Sequence, residues 1–273
     1  MNKDIKMIVF DLDGTLLNDK KEILDQTVEV IEKLKKKGIR IVLNSGRTFN
    51  GMWKMRQKLN LMSFDDYSIC GTGAFVRRNA DGKALIENPL AKADYEFLEE
   101  MIRGYDLQLS IHTMNILYLN DEVPNEAFIV DQKQVSMPWF KFEKFEDIED
   151  SISRIALNGD KEVLDDFYEK NKAKLQKDYK IMRNEIHLLE ILNKNAGKSE
   201  SLKKLCQILK LERENIMYFG DGMNDIKSLE FAGCGVAMGS GRQEAKKAAD
   251  YIIGSNEQAS IANFLKEYFN LDV

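Results

Sequence analysis

Residues 7–17 read MIVFDLDGTLL, an apolar run with the texture of a buried strand that ends in two carboxylates, Asp11 and Asp13, with one leucine between them. Residues two apart in a strand point the same way, so the two acids are expected to converge at a carboxyl end, where open parallel sheets bind ligands. Like charges held together call for compensation. A divalent cation supplies it without forcing either acid to stay protonated. On this segment alone a plainer alternative stays open, in which Asp13-Gly14-Thr15 makes a turn and Asp11 caps it. An EF-hand reading of Asp11, Asp13, Thr15 and Glu22 meets Leu16 where that loop's sharp turn needs glycine.

Outward from this stretch, DQTVEVIEKLKKKG places Val28, Ile31 and Leu34 on one helical face, with Asp25 as N-cap and Gly38 as stop. The strand IRIVLN follows at once, and its near-continuous apolar character predicts a parallel sheet covered on both faces. The same alternation returns in helix SESLKKLCQILKL, strand NIMYFG, helix NDIKSLEFAG, strand GVAMG, helix QEAKKAAD, strand YIIG and helix SIANFLKEYF. Both ends therefore read as doubly wound α/β. The middle differs: a hairpin turns at Asp81-Gly82, then come helix DYEFLEEMIRG, strand LQLSIHTMNILYL, strand ISRIALN, helix KEVLDDFYEKNKAKL and strands YKIMRN and HLLEILN. Residues 125–145 show no clean period. The expected fold class is α/β, a doubly wound parallel-sheet core (1–83 and 188–273) with an inserted smaller α+β domain (84–187).

Composition narrows the function. At 273 residues, 44% hydrophobic and 31% charged, the chain is long enough for two folded domains and is not expected to be disordered. A net charge of -5 gives no global attraction to nucleic acid or anionic lipid, so a small molecule is the expected partner; oligomeric state is not readable. Cys70, Cys206 and Cys234 are few, odd in number and far apart, which fits a reducing compartment. No apolar run approaches the roughly 18 residues that span a bilayer, and a cytoplasmic location is expected.

A second strand, YFG, runs directly into Asp221, with Asn224 and Asp225 on the opening turn of the next helix. Carboxylates at the ends of two strands form a hard, oxygen-rich site suited to Mg²⁺ rather than zinc. Between the two acidic motifs, VLNSGRT ends a strand with Ser45, Gly46 and Arg47, groups able to hydrogen-bond a phosphoryl oxygen, although a Ser-Gly turn has the same sequence. NKNAGKSESL looks like the end of a Walker A loop, but Leu192 stands where its first glycine is required. Lys198 at a helix start works against the helix dipole unless something negative faces it.

DLDGTLL, NSGR, Lys198 and GDGMND, in this order, resemble the four motifs of the haloacid dehalogenase-like superfamily, and the inserted middle resembles the cap of its Cof-type phosphatases. The resemblance implies a Mg²⁺-dependent cytoplasmic hydrolase that removes phosphate from a small phosphorylated metabolite, sugar phosphates leading, through an aspartyl-phosphate. It implies Asp11 as nucleophile and Asp13 as the acid that protonates the leaving oxygen and later activates water. It further implies that Asp221, Asp11 and the Asp13 carbonyl hold the metal with Asp225 in support, and that Ser45 and Lys198 bind the phosphoryl group beside Gly46 and Asn224, with Arg47 toward the substrate. Phosphomutase or phosphotransferase chemistry and a non-catalytic phosphometabolite-binding module are the alternatives.

The chain departs from the Cof-type pattern in three places. GTGA puts Thr72 where an asparagine is usual, MGSG replaces Met-Gly-Asn-Ala, and NEQASIA lacks an acid-Gly pair. His112 and His187 read as half-buried structural histidines, His187 being the better candidate for touching substrate, and the aromatics of WFKFEKF read as domain packing.

Overall fold

The chain begins with β1 (Met7–Phe10), α1 (Asp25–Lys36), β2 (Arg40–Asn44), α2 (Trp53–Lys58), β3 (Tyr67–Cys70), β4 (Phe75–Arg78) and β5 (Ala84–Glu87). These coordinates are a computed structural model that describes residues 4–135, 137–183 and 185–271. α1 starts at Asp25 rather than being capped by it: the Leu24 carbonyl accepts from the Thr27 and Val28 N–H groups, and no side chain caps the helix. Asp25 pairs instead with Lys58 at 2.9 Å, and its charge still complements the helix dipole.

The middle of the chain supplies α3 (Lys92–Met101), β6 (Gln108–His112), β7 (Leu117–Leu119), α4 (Glu126–Val135), β8 (Trp139–Lys141), β9 (Arg154–Asn158), α5 (Lys161–Asp178), β10 (Tyr179–Met182) and β11 (Leu188–Asn193). Its sheet has the order β10-β11-β9-β6-β7-β8 and is antiparallel except for β7 beside β8. Alternation sorts its faces. Leu109, Ile111, Ile155, Leu157, Leu189 and Ile191 pack with Leu98 of α3 and with Leu164 and Phe167 of α5. Ser110, His112, Arg154, Asn158 and Glu190 occupy the alternate positions and are buried as well. There Arg154 donates to Asp131 of α4 at 3.0 Å and to Glu190, while His112 Nε2 lies 3.1 Å from Asp131. This unit comprises Arg47–Met52 and Glu87–Ala196. The sequence-based boundary at 187/188 cuts before β11, whereas β11 is hydrogen-bonded between β9 and β10 and so groups with them.

Burial above all, helped by the Arg154 charge, lowers the His112 pKa, and the opposing pull of Asp131 does not reverse this. The unfolded chain then binds the histidine proton more tightly than the folded one, so His112 favours folding above its ordinary pKa of about 6.5 and that contribution is lost as pH falls below it. Urea unfolding of the full chain followed by circular dichroism is expected to show a midpoint that falls between about pH 7.5 and 5.5, with a flatter profile in His112→Gln. An identical profile in parent and variant would reject the assignment.

The remainder is α6 (Lys198–Leu209), β12 (Ile216–Gly220), α7 (Ile226–Phe231), β13 (Cys234–Ala237), α8 (Gln243–Ala248), β14 (Tyr251–Ile252) and α9 (Ser260–Tyr268). It returns to the first sheet, whose order is β14-β13-β12-β1-β2-β3-β4-β5. The run from β14 to β3 is parallel, and β4 is antiparallel to β3. Helices cover both faces, as the apolar strands predict: Met7, Val9 and Tyr218 pack with Leu202 and Leu205 of α6, while Phe10 stacks on Phe219, which meets Phe264 of α9. This second compact unit comprises Met1–Gly46, Trp53–Ile86 and Gly197–Val273. The strand order reverses between β1 and β12, so the crevice beyond their carboxyl ends is the switch point where such sheets bind ligands. No helix among the described residues is long and apolar enough to cross a membrane.

Candidate active site

Asp11 and Asp221 are the residues immediately after β1 and β12, and Asp225 ends the single helical turn Met223–Asp225 that follows. The parallel pairing Phe10↔Phe219 fixes the height of the two strand ends, and Asp11 N–H donates to the Phe219 carbonyl at 3.0 Å. Carboxylate oxygens of Asp11, Asp221 and Asp225 lie within 4.8 Å of one another. Lys198, the first residue of α6, enters from the side: its Nζ donates to Asp11 Oδ1 at 2.5 Å and to Asp225 Oδ1 at 2.8 Å. The negative group that the sequence demands opposite this lysine is therefore supplied by the protein's own carboxylates.

The three acids are held differently. Asp225 has both oxygens engaged: Oδ1 by Lys198 and by the Tyr218 hydroxyl at 2.7 Å, Oδ2 by the N–H groups of Asp221 at 3.2 Å and Gly222 at 3.0 Å. It ties the loop after β12 to Lys198. Asp221 accepts from Thr15 Oγ1 at 3.0 Å, which links the two acidic motifs directly. Gly14 explains why DLDGT needs its glycine. Its φ is +83°, and a Cβ there would lie 2.5 Å from Asp221 Oδ2.

The electrostatics of the cluster suit it to a cation. Burial drives the Asp11 carboxyl well above the ordinary range; Lys198 opposes this, and Asp225 and Asp221 add to it. Asp221 is raised by burial and then by Asp225. Burial pulls the Lys198 ammonium down, but Asp11 and Asp225 more than reverse that and hold it protonated. One lysine thus faces three acids, and a further positive charge between Asp11 and Asp221 would let both ionise. The all-oxygen donor set fits a hard divalent cation, which Asp11 and Asp221 could ligate while Asp225, both of whose oxygens accept hydrogen bonds within the protein, supports them.

The other residues marked in the sequence fall as follows. Asp13 does not join the carboxylate cluster; its half-exposed side chain is paired with Lys21 at 2.8 Å. Ser45 is buried just beyond β2, its N–H donating to the Ile69 carbonyl at 3.0 Å and its carbonyl accepting from Thr72 N–H at 3.1 Å. Gly46 lies against the Thr72 side chain. Arg47 is buried and groups with the inserted unit. Asn224 is half-buried, with Oδ1 close over Gly222. His112 is fully buried in the inserted unit's charged cluster, and His187 is half-buried. The sequence points to Thr15 only as a turn residue or an EF-hand-like ligand and to Tyr218 only as part of a strand, whereas the fold brings their hydroxyls to Asp221 and Asp225. Thr15 could have been found from its place beside Gly14, but Tyr218 sits in an apolar strand and gives no signal.

Carboxylates and a buried lysine gathered at the switch point of a doubly wound sheet define a site with the chemistry to hold a divalent cation and an anion together. A family model described as haloacid dehalogenase-like hydrolase matches residues 8–265. The chain is 30% identical over 277 residues to the 5-amino-6-(5-phospho-D-ribitylamino)uracil phosphatase YitU of Bacillus subtilis (strain 168), covering 97% of this chain and 98% of that one. It is 29% identical over 266 residues to the phosphatase YcsE of the same organism, of the same substrate name, covering 97% and 96%. The crystal structure of a haloacid dehalogenase-like hydrolase from Bacteroides thetaiotaomicron matches with a TM-score of 0.89 at 28% identity, covering 96% of this chain and 99% of that one. The chain belongs to the haloacid dehalogenase-like hydrolases.

Proposed function

We propose that this hydrolase is a Mg²⁺-dependent phosphatase that releases phosphate from a small phosphorylated sugar or polyol through an aspartyl-phosphate. The observation that carries the reading is the convergence of Asp11, Asp221, Asp225 and Lys198 at the switch point. Two relatives named as phosphatases of a phosphoribityl compound support a polyol-type ester as the substrate class.

Asp11 attacks the phosphorus, the ester P–O bond breaks, and Asp13 delivers a proton to the leaving oxygen. Water then attacks the aspartyl-phosphate phosphorus as Asp13 takes its proton, and inorganic phosphate leaves with Asp11 regenerated. The Asp13–Lys21 ion pair has to open for Asp13 to serve. Lys198 and the Ser45 loop stabilise charge on the transferring group, which is most of what phosphoryl transfer asks of a protein. A bound Mg²⁺ supplies further charge neutralisation at the phosphoryl oxygens.

The test is a screen of phosphorylated sugars and polyols with and without Mg²⁺, following inorganic phosphate and any isomerised ester. Phosphate release that stops with a chelator is expected; an isomer without free phosphate would make the chain a mutase. Mg²⁺ alone is also expected to raise the melting temperature by relieving repulsion between Asp11 and Asp221, since saturation to about 100 times Kd adds about 2.7 kcal/mol. Asp221→Asn is expected to lose that rise, and an unchanged rise would remove Asp221 from the metal site.

A further inference from the structure

We infer that the Thr72 hydroxyl is a substrate-binding group of this site, donating a hydrogen bond to a phosphoryl oxygen held between the Ser45–Gly46 loop and the start of α6. The inference deepens the phosphatase reading and rests on it. Thr72 lies in the turn between β3 and β4, where Gly71, Thr72 and Gly73 have φ values of +57°, +54° and +84°. Glycine or asparagine adopts the left-handed region readily, whereas a β-branched residue there is an outlier held by its surroundings.

The surroundings are the two phosphate-binding elements of the proposed site. On one side Thr72 N–H donates to the Ser45 carbonyl at 3.1 Å, and Thr72 Oγ1 lies 3.2 Å from where a Cβ on Gly46 would stand. On the other, Gly73 is pressed so closely on the α6 start that a Cβ would fall 2.2 Å from the Gly197 carbonyl carbon, and Ser201 Oγ donates to the Gly73 carbonyl at 2.7 Å. The turn is therefore clamped between the Ser45 loop and Lys198.

Thr72 is 1% exposed, and its Oγ1 has no hydrogen-bond partner among the described residues. A buried hydroxyl without a partner is costly, and valine would fill the same shape without that cost. The chain thus carries two penalties at one residue, in backbone and side chain, at the point where the phosphate-binding elements meet. Strain and an unmet polar group held together in this way mark a ligand contact. Asp11, Ser45 and Lys198 are buried to a similar degree, so whatever admits phosphate to them admits it to Thr72.

The experiment compares the parent chain, Thr72→Val and Thr72→Ser in Mg²⁺. Melting temperature, binding of inorganic phosphate by calorimetry, and kcat/KM on the best ester from the screen are measured for each. Thr72→Val is expected to melt no lower than the parent while binding phosphate about tenfold more weakly, with a similar loss in kcat/KM, as for one hydrogen bond to a charged group. Thr72→Ser is expected to recover most of both. Phosphate binding by Thr72→Val within twofold of the parent overturns the inference. So does equal impairment of both variants accompanied by lower melting temperatures, because that pattern reports shape alone. A parent that binds phosphate without turning over any ester overturns the phosphatase reading and leaves the Thr72 comparison readable; a parent that binds no phosphate overturns both.

Discussion

Asp11→Asn is expected to abolish phosphate release, by at least about 10³-fold, while the protein stays folded. On the proposed reading Asp11 is the nucleophile, and an asparagine amide cannot form the acyl phosphate. The fold is expected to tolerate the change because burial already opposes ionisation of the Asp11 carboxyl, and Lys198 keeps its bond to Asp225. Phosphate release by purified variant and parent, with circular dichroism as the control, decides the matter. Equal release from both would reject Asp11 as nucleophile, and a variant that is inactive only because it is unfolded would show in the spectrum.

Lys198→Met is expected to injure both stability and rate. Its ammonium is buried and bridges Asp11 and Asp225, so its removal leaves buried carboxylates without their cation, a change that typically costs about 3–5 kcal/mol. Without the lysine the Asp11 carboxyl, already raised by burial, is easier still to protonate, so the loss in melting temperature is expected to shrink as pH is lowered from 8 toward 5. On the proposed phosphatase reading Lys198 also faces the transferring group, and loss of that preorganised positive charge is expected to lower kcat by about 10²–10³-fold. A variant with the parent's melting temperature at pH 8 would contradict the bridging role, and one with the parent's kcat would contradict the catalytic role.

The sequence reveals the core well because β1, β2 and β12 are buried on both faces and so read as unbroken apolar runs. The inserted unit is harder to read, and α4 shows why. Its buried positions Phe128, Asp131 and Val135 have helical spacing, but one of them is a carboxylate paired with Arg154, and Val130 faces out. An apolar period interrupted by a buried ion pair does not look like a helix, which is why residues 125–145 show no clean pattern. The aromatics after it do serve packing, Trp139 meeting Phe128 and Phe142 meeting Tyr95, although Phe140 is exposed.

At the site, the order of motifs identifies Asp11, Lys198, Asp221 and Asp225, which the fold brings into contact. Asp13 is different because strand alternation does not extend past the end of β1. β1 ends at Phe10 and the chain turns through Leu12 and Gly14, so the rule that residues two apart share a direction no longer applies. Thr72 is visible in the sequence only as a departure from its relatives. Its left-handed backbone and unmet hydroxyl belong to three dimensions.

The bond from Thr15 to Asp221 joins residues 206 positions apart. β1 is made early by the ribosome but acquires its β12 neighbour only after the whole inserted unit has emerged, and that unit has a core of its own. A nascent chain can therefore finish its middle while its catalytic half is still open, with the first acidic motif waiting beside an unpaired strand edge. On the proposed reading the site is completed last, and a polypeptide that stops short of the second acidic motif lacks Asp221 and Asp225 however well its middle packs.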